Sequence, residues 1–303
     1  MTALSDGIIV VNKPVGITSA KVVALVKRHT GARKVGHAGT LDPFATGVLV
    51  CLINRATRLA EFFLASDKTY AAVMCLGAET DTQDLTGTVT AACDTSLQTV
   101  SDEAIRRVMR SFEGEGEQRP PAFSAVKHQG VPLYRLARQG IYIEKPARPM
   151  VISSLTVQEI CWPMVRFEVT CSSGTYIRTL CADMGRALGC GGYLHALERT
   201  RAGGFDMARA VDLEHLVDLC KAGKASDLLV PMSAALSGMP RFTAPPSLAG
   251  RIAAGGQLAA ADFAGFPAAD TEGYFQVTDA EGQLLAVVQR HEETYRYRCV
   301  LAG

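Results

Sequence analysis

A chain of 303 residues, 48% hydrophobic and with a net charge of +1, is long enough to bury a sizeable core and to hold about two domains. That balance describes an ordinary soluble globular protein, and whole-chain charge gives no sign of a nucleic-acid partner. No apolar run approaches membrane-spanning length and no basic-plus-apolar leader opens the chain, so a cytoplasmic protein is expected. Nine cysteines, an odd number, are scattered without a C-x-x-C pair or a His/Cys cluster at zinc spacing. They read as reduced core residues with no metal.

In chain order, Gly7 to Asn12 reads as a short buried strand ended by the turn Lys13-Pro14-Val15-Gly16. Thr18 or Ser19 then caps a helix with Val22, Leu25 and Val26 on its apolar face and Gly31 as its stop. Next comes Val35-Gly36-His37-Ala38-Gly39-Thr40-Leu41-Asp42-Pro43-Phe44-Ala45-Thr46-Gly47, feeding the buried strand Val48 to Leu52. Its glycines allow close backbone approach, and Pro43 pushes Asp42 out of the helical region. An Asp-Pro turn uses the same residue types for local reasons alone. This loop, however, is longer and richer in glycine than a turn needs, so Asp42 reads as a lone carboxylate presented on a rigid, extended loop.

A short helix through Arg58 to Leu64 precedes a strand over Lys68 to Gly77, with Tyr70 near its start. The polar stretch Gly77 to Gly87 alternates Asp and Thr, suited to turn bonding between side chains and backbone. Ser101 caps a helix bearing Ile105, Val108, Met109 and Phe112. Residues 113 to 150 read as a basic, mobile insertion, with a short helix over Leu133 to Gln139. Val165 to Cys171 alternates as a half-buried strand, and a helix starts near Tyr176. Arg178 falls on its first turn, where the helix dipole is already positive. An anion should offset it, and Asp42 is a candidate. Leu197 to Phe205 reads as a basic, glycine-rich turn, and helices are expected over Leu213 to Cys220 and Ala225 to Leu236. After Pro240, Pro245 and Pro246, a helix near Leu248 to Ala254 and strands at Tyr274 to Thr278, Leu284 to Gln289 and Tyr295 to Leu301 make a small β-rich module.

Charge is unevenly spread. Residues 1 to 60 carry eight lysines and arginines against Asp6 and Asp42 alone, and Arg119, Lys127, Arg135, Arg138, Lys145 and Arg148 face only Glu144. A neutral protein that is basic around one loop suits an anionic partner, although each run taken singly is what a solvated face also shows.

The run from Val35 through Leu49 resembles the catalytic motif of the bacterial TruB family of tRNA pseudouridine synthases. So do Asn12-Lys13-Pro14-Val15-Gly16-Ile17-Thr18-Ser19, Lys68-Thr69-Tyr70, Gly77 to Asp84, Pro120-Pro121-Ala122-Phe123-Ser124-Ala125 with Lys127, Gly174-Thr175-Tyr176-Ile177-Arg178 and Leu197-Glu198-Arg199-Thr200, in family order. The sequence departs from the family at Ala20-Lys21, where many relatives have a His-Asp pair, and at Glu198, where a basic residue is common. The resemblance implies an α+β fold: a mixed, mainly antiparallel sheet with flanking helices over residues 1–238, and a PUA-like RNA-binding module over 239–303.

It also implies isomerisation of uridine 55 in the tRNA T-loop, without metal or other cofactor, on a base flipped out of its stack. Asp42 would be the essential carboxylate, by attack on sugar or base or by initiating elimination. Arg178 would pair with it, and Tyr70 would stack on the base and help remove the C5 proton. Tyr176 and Leu197 would line the site, and His37 would fill the space the base leaves. Lys13, Arg119 and Lys127 would contact the substrate, the insertion gripping the T-stem-loop backbone and the C-terminal module the acceptor stem. A monomer is expected. Two rival readings stay open: a tRNA-binding or folding factor without turnover, and a glycosidic hydrolase, which would want a second carboxyl of separate role.

Overall fold

The computed structural model describes residues 4–93, 100–267, 272–292 and 294–302. Strand β1 (Gly7–Lys13) is aliphatic at four successive positions and buried almost throughout. It runs antiparallel to β2 (Thr46–Ile53), from Gly7 opposite Ile53 to Lys13 opposite Gly47. Helix α1 (Ser19–Thr30) lies between them in sequence. The Thr18 side chain accepts the Lys21 N–H at its start, and Gly31, at φ 66°, ends it in the left-handed region.

Strands β3 (Lys68–Leu76), β4 (Gly114–Gln118), β5 (Arg148–Cys161), β6 (Met164–Cys171), β7 (Gly192–Ala202) and β8 (Val211–Asp212) complete the main sheet, in the order β8-β1-β2-β7-β3-β6-β5-β4. Short strands Val35–His37 and Phe205–Asp206 pair onto β2 and β7. Only β8 with β1 and β2 with β7 are parallel, so the sheet is mixed and mainly antiparallel, as expected. Helices α2 (Asp102–Arg110) and α3 (Ile177–Ala187) bury Ile105, Met109, Leu180 and Met184 with Phe167 and Val169 of the sheet. Period-2 alternation splits β1: Ile9 and Val11 pack with Val22 and Val26 of α1 and with Leu216 of α4 (Leu213–Lys221), while Ile8 and Val10 join a second cluster.

The C-terminal module is a four-stranded sheet, β9 (Arg241–Thr243), β10 (Gly273–Thr278), β11 (Leu284–His291) and β12 (Thr294–Val300), paired in that order beside helix α5 (Pro246–Ala253). Its Leu284, Val287 and Leu301 share a buried cluster with Ile8, Val10, Leu59 and Phe63, so it is docked on the larger unit.

Three elements differ from the sequence reading. Leu197 to Ala202 is part of a central strand, and only Gly203-Gly204 turns the chain. Its charges and glycines together suggest a turn, yet Arg199 is buried in the sheet. Ala225 to Leu236 is not one helix: a 3₁₀ turn, an extended bridge at Val230 and a four-residue helix follow one another, because Pro231 cannot continue a helix. The fourteen-residue strand β5 was not anticipated, since most of its residues are at least partly exposed and its alternation is broken by two register shifts. The two ends of the 113–150 stretch also lie in the sheet, Gly114–Gln118 pairing with Arg148–Ile152. Between them lie the Lys127–His128 and Val131–Pro132 hairpin and the helix Leu133–Ala137.

Candidate active site

The loop carrying Asp42 is fixed from below. Ser19 Oγ accepts the Leu41 N–H at 2.8 Å and donates back to the Leu41 carbonyl at 3.1 Å, while the Gly16 N–H donates to the Pro43 carbonyl. Lys13 is fully buried, and its ammonium donates to the carbonyls of Pro14, Ile17 and Pro43. All three of its donors are engaged there, so Lys13 clamps the loop. Burial pulls its pKa down to about 8, against the opposing pull of Asp42.

Gly47 sets the height of this assembly. Its φ of +100° is a glycine conformation, and a Cβ there would collide with the Arg199 backbone across the parallel β2–β7 contact. Arg199 itself sends Nε to the Val48 carbonyl at 2.7 Å and Nη2 to the Gly39 carbonyl at 3.0 Å, tying both ends of the loop to the sheet.

At the loop's tip, Arg178 Nε donates to Asp42 Oδ2 at 2.9 Å. The Arg178 side chain is buried, while that of Asp42 keeps 35% of its surface exposed. Nη1 of Arg178 donates to the Thr82 carbonyl at 3.0 Å and lies 3.6 Å from Asp84 Oδ2, and Nη2 donates to the Phe123 carbonyl at 2.9 Å. One guanidinium thus joins the Asp42 loop, the 77–87 loop and the start of the insertion. Asp84 is held in turn: its Oδ1 accepts from the hydroxyls of Thr82 and Thr86 and from the Thr86 N–H. The alternating Asp and Thr therefore bond locally, as read, but they also orient an acid that the sequence reading did not single out.

Burial raises the Asp42 carboxyl above the ordinary carboxylate range, and Asp84 adds to the rise, while Arg178 and Lys13 oppose it. Tyr70, buried on β3, and Tyr176, just before α3, both feel the Asp42 charge, and burial raises both phenols. Gln118, also unmarked in the sequence reading, fixes Tyr176: its side-chain amide accepts the Tyr176 N–H at 2.7 Å and donates to the Tyr176 carbonyl at 3.1 Å. Leu197 on β7 belongs to the same buried cluster as Leu41, Ala45 and Tyr70. His37 is half-buried on the short strand leading into the loop, with Nδ1 buried and unpartnered, and burial lowers its pKa so that the neutral ring is favoured.

Arg119 and Lys127 lie apart on the insertion. Arg119 is exposed and pairs with exposed Glu144 at 3.0 Å, and Lys127 is exposed on its hairpin. The structure therefore gathers Asp42, Arg178, Tyr70, Tyr176 and Leu197, and leaves these two at the surface. Asp84, Arg199 and Gln118 could be singled out only once the strands were placed, because each acts through partners far away in sequence. Among the described residues, no group of three or more His, Cys, Asp or Glu is placed to hold a metal ion. Nor is any helix long and apolar enough to cross a membrane.

A buried arginine orienting a half-exposed carboxylate beside two phenols can stabilise and direct an anion against a planar ring. Residues 27–177 match the model of the TruB family pseudouridylate synthase N-terminal domain, and 178–237 that of the tRNA pseudouridylate synthase B C-terminal domain. A protein of Geobacter sulfurreducens named tRNA pseudouridine synthase B is 47% identical over 231 residues, covering 76% of this chain and 75% of that protein. One of the same name from Syntrophus aciditrophicus is 45% identical over 256 residues, covering 83% and 80%. Among solved structures, a chain of a Cbf5-Nop10-Gar1 complex superposes with a TM-score of 0.74 at 29% identity, over 98% of this chain and 84% of that one. With this identity extending across most of its length, the chain belongs to the TruB family of pseudouridylate synthases.

Proposed function

We propose that this protein converts uridine 55 in the T-loop of tRNA to pseudouridine, with Asp42 as the essential carboxylate. The observation that carries this reading is the Asp42–Arg178 ion pair set among Tyr70, Tyr176 and Leu197 in a chain of this family. The flipped base enters beside Asp42, which promotes cleavage of the N1 glycosidic bond. Arg178 keeps the carboxylate ionised and aimed. Tyr70 stacks on the freed base and takes part in removing the C5 proton after the ring has rejoined the ribose through C5. Tyr176 and Leu197 confine the ring, and His37, held neutral, fills the gap in the RNA stack.

The exposed basic residues of the insertion, Arg119 and Lys127 among them, hold the T-stem-loop backbone, so affinity falls as salt rises. The C-terminal module reaches toward the acceptor stem. The protein works as a monomer in the cytoplasm.

The test is tritium release from an unmodified tRNA transcript labelled at C5 of uridine. The wild type is expected to release tritium in proportion to pseudouridine at position 55. Asp42→Asn is expected to release none while still binding the transcript. A folded wild type that binds this tRNA and releases no tritium would leave a binding factor as the better reading.

A further inference from the structure

Arg199 is a cation with almost no access to solvent, 1% exposed at the centre of the main sheet. Among the described residues no carboxylate forms an ion pair with it, and its resolved hydrogen-bond partners are two backbone carbonyls, Val48 and Gly39. Burying a full charge with so little compensation is costly. The loop-tying role accounts for Nε and Nη2, and neutral donors could supply those two bonds. What calls for the charge lies across the strand pair. Arg199 stands directly opposite Tyr70 in the antiparallel β7–β3 register, so the two side chains project to the same face. The Tyr70 hydroxyl feels the Arg199 charge across this pair.

Resting on the function proposed above, we propose that Arg199 is a positioning residue that acts through Tyr70. It fixes the phenol oxygen toward the target base and supplies the positive charge that the ionised phenol needs to accept the C5 proton. In that step the base is already joined to C1′ through C5. The C5–H electron pair closes the C5=C6 double bond, and the N1=C6 pair moves onto N1, which takes a proton from water. The C5 proton passes to the Tyr70 oxygen.

Other groups around Tyr70 work the opposite way. Burial disfavours the phenolate, and so does Asp42 on its loop, leaving Arg199 as the group that favours it, with Cys171 on β6 the other titratable neighbour. Cys171 is itself held as a neutral thiol, burial pushing its pKa up to about 11.

The experiment compares full-length wild type, Arg199→Gln, Tyr70→Phe and the double variant on three tRNA transcripts, carrying uridine, C5-deuterated uridine or 5-fluorouridine. Fluorine at C5 leaves no proton to remove, so rearrangement of 5-fluorouridine reports bond cleavage and rejoining alone. With Arg199→Gln, pseudouridine formation is expected to slow about tenfold or more. Its C5-deuterium isotope effect should grow, and the rising limb of its pH profile should move to higher pH, because loss of the cation raises the phenol further. Rearrangement of 5-fluorouridine should slow several-fold less than pseudouridine formation, that smaller loss being the share of the loop-tying bonds to Val48 and Gly39, and adding Arg199→Gln to Tyr70→Phe should cost no more than this smaller loss.

Equal slowing of uridine and 5-fluorouridine, with isotope effect and pH limb unmoved and the two substitutions multiplying, would overturn the proposal. If thermal melting shows Arg199→Gln unfolded, Arg199→Lys keeps the charge and displaces it. A larger isotope effect than wild type then supports the role, and an unchanged one overturns it. A wild type that turns over no tRNA overturns the functional reading as well.

Discussion

Asp42 carries a charge that folding disfavours. Its carboxyl titrates above the ordinary range in the folded protein because burial and Asp84 outweigh Arg178 and Lys13. A carboxyl with a raised folded pKa is bound to its proton more tightly when folded than when unfolded, so folding weakens as pH rises from the unfolded value through the folded one. Asp42→Asn removes that penalty and still offers an oxygen to Arg178 Nε. At pH 7 it should therefore melt slightly above wild type. The gain should be under about 1 kcal/mol, since 35% of the side chain meets solvent and screening reduces the effect. It should be full above the raised pKa, shrink as pH falls through it and vanish below the ordinary carboxylate range. Thermal melts of both proteins across pH check this, and a variant less stable than wild type at pH 7 would refute it. Asp42 was legible because glycines and a proline isolated a single acid on its loop. Asp84 was not, because Asp81 stands in the same Asp/Thr pattern and only the fold shows which of the two reaches Arg178.

Strands β2 and β7 make the parallel contact that brings the Asp42 loop beside Tyr70. That contact depends on a missing side chain, because at Gly47 a Cβ would run into the backbone of Arg199 with φ already at +100°. Gly47→Ala must push β7 off β2, and should cost at least about 2 kcal/mol from overpacking and backbone strain together. Gly36→Ala is the matched control. It sits on the neighbouring short strand without a positive φ, and its added methyl would make an ordinary contact 3.5 Å from Thr57 Cγ2. Urea unfolding should leave the control within about 0.5 kcal/mol of wild type. Equal losses in the two variants would show that the close approach is not what matters. The elements that were easiest to read were those with one apolar face and a clear stop, such as α1 between Thr18 and Gly31. Strand β7 was misread because it carries Glu198, Arg199 and Arg201 into the sheet, and charged residues in sequence look like surface until buried acceptors are found for them.

Across the whole molecule, the small C-terminal sheet was legible as a separate module, but its docking was not, since no local pattern shows which of its apolar residues face inward and which face the larger unit. Leu284, Val287 and Leu301 lie in one buried cluster with Ile8, Val10, Leu59 and Phe63, and Arg55 Nη1 donates to the Leu301 carbonyl at 2.7 Å. The Glu61–Arg298 ion pair also bridges the units, but both side chains are more than 40% exposed, so it adds little. Apolar burial should therefore couple the two units into one unfolding transition. Trp162, the only tryptophan, lies at the β5–β6 turn of the large sheet and so reports on the unit that does not contain Val287. Val287→Ala removes fully buried methyls and should cost about 2 kcal/mol. If the units unfold together, the Trp162 fluorescence transition shifts to lower denaturant by that amount, in step with far-UV circular dichroism. Glu61→Ala should leave both signals within about 0.5 kcal/mol. A Trp162 transition that stays in place while the circular dichroism splits into two steps would mean that the module unfolds alone, and that the shared cluster does not couple it to the sheet that holds Asp42.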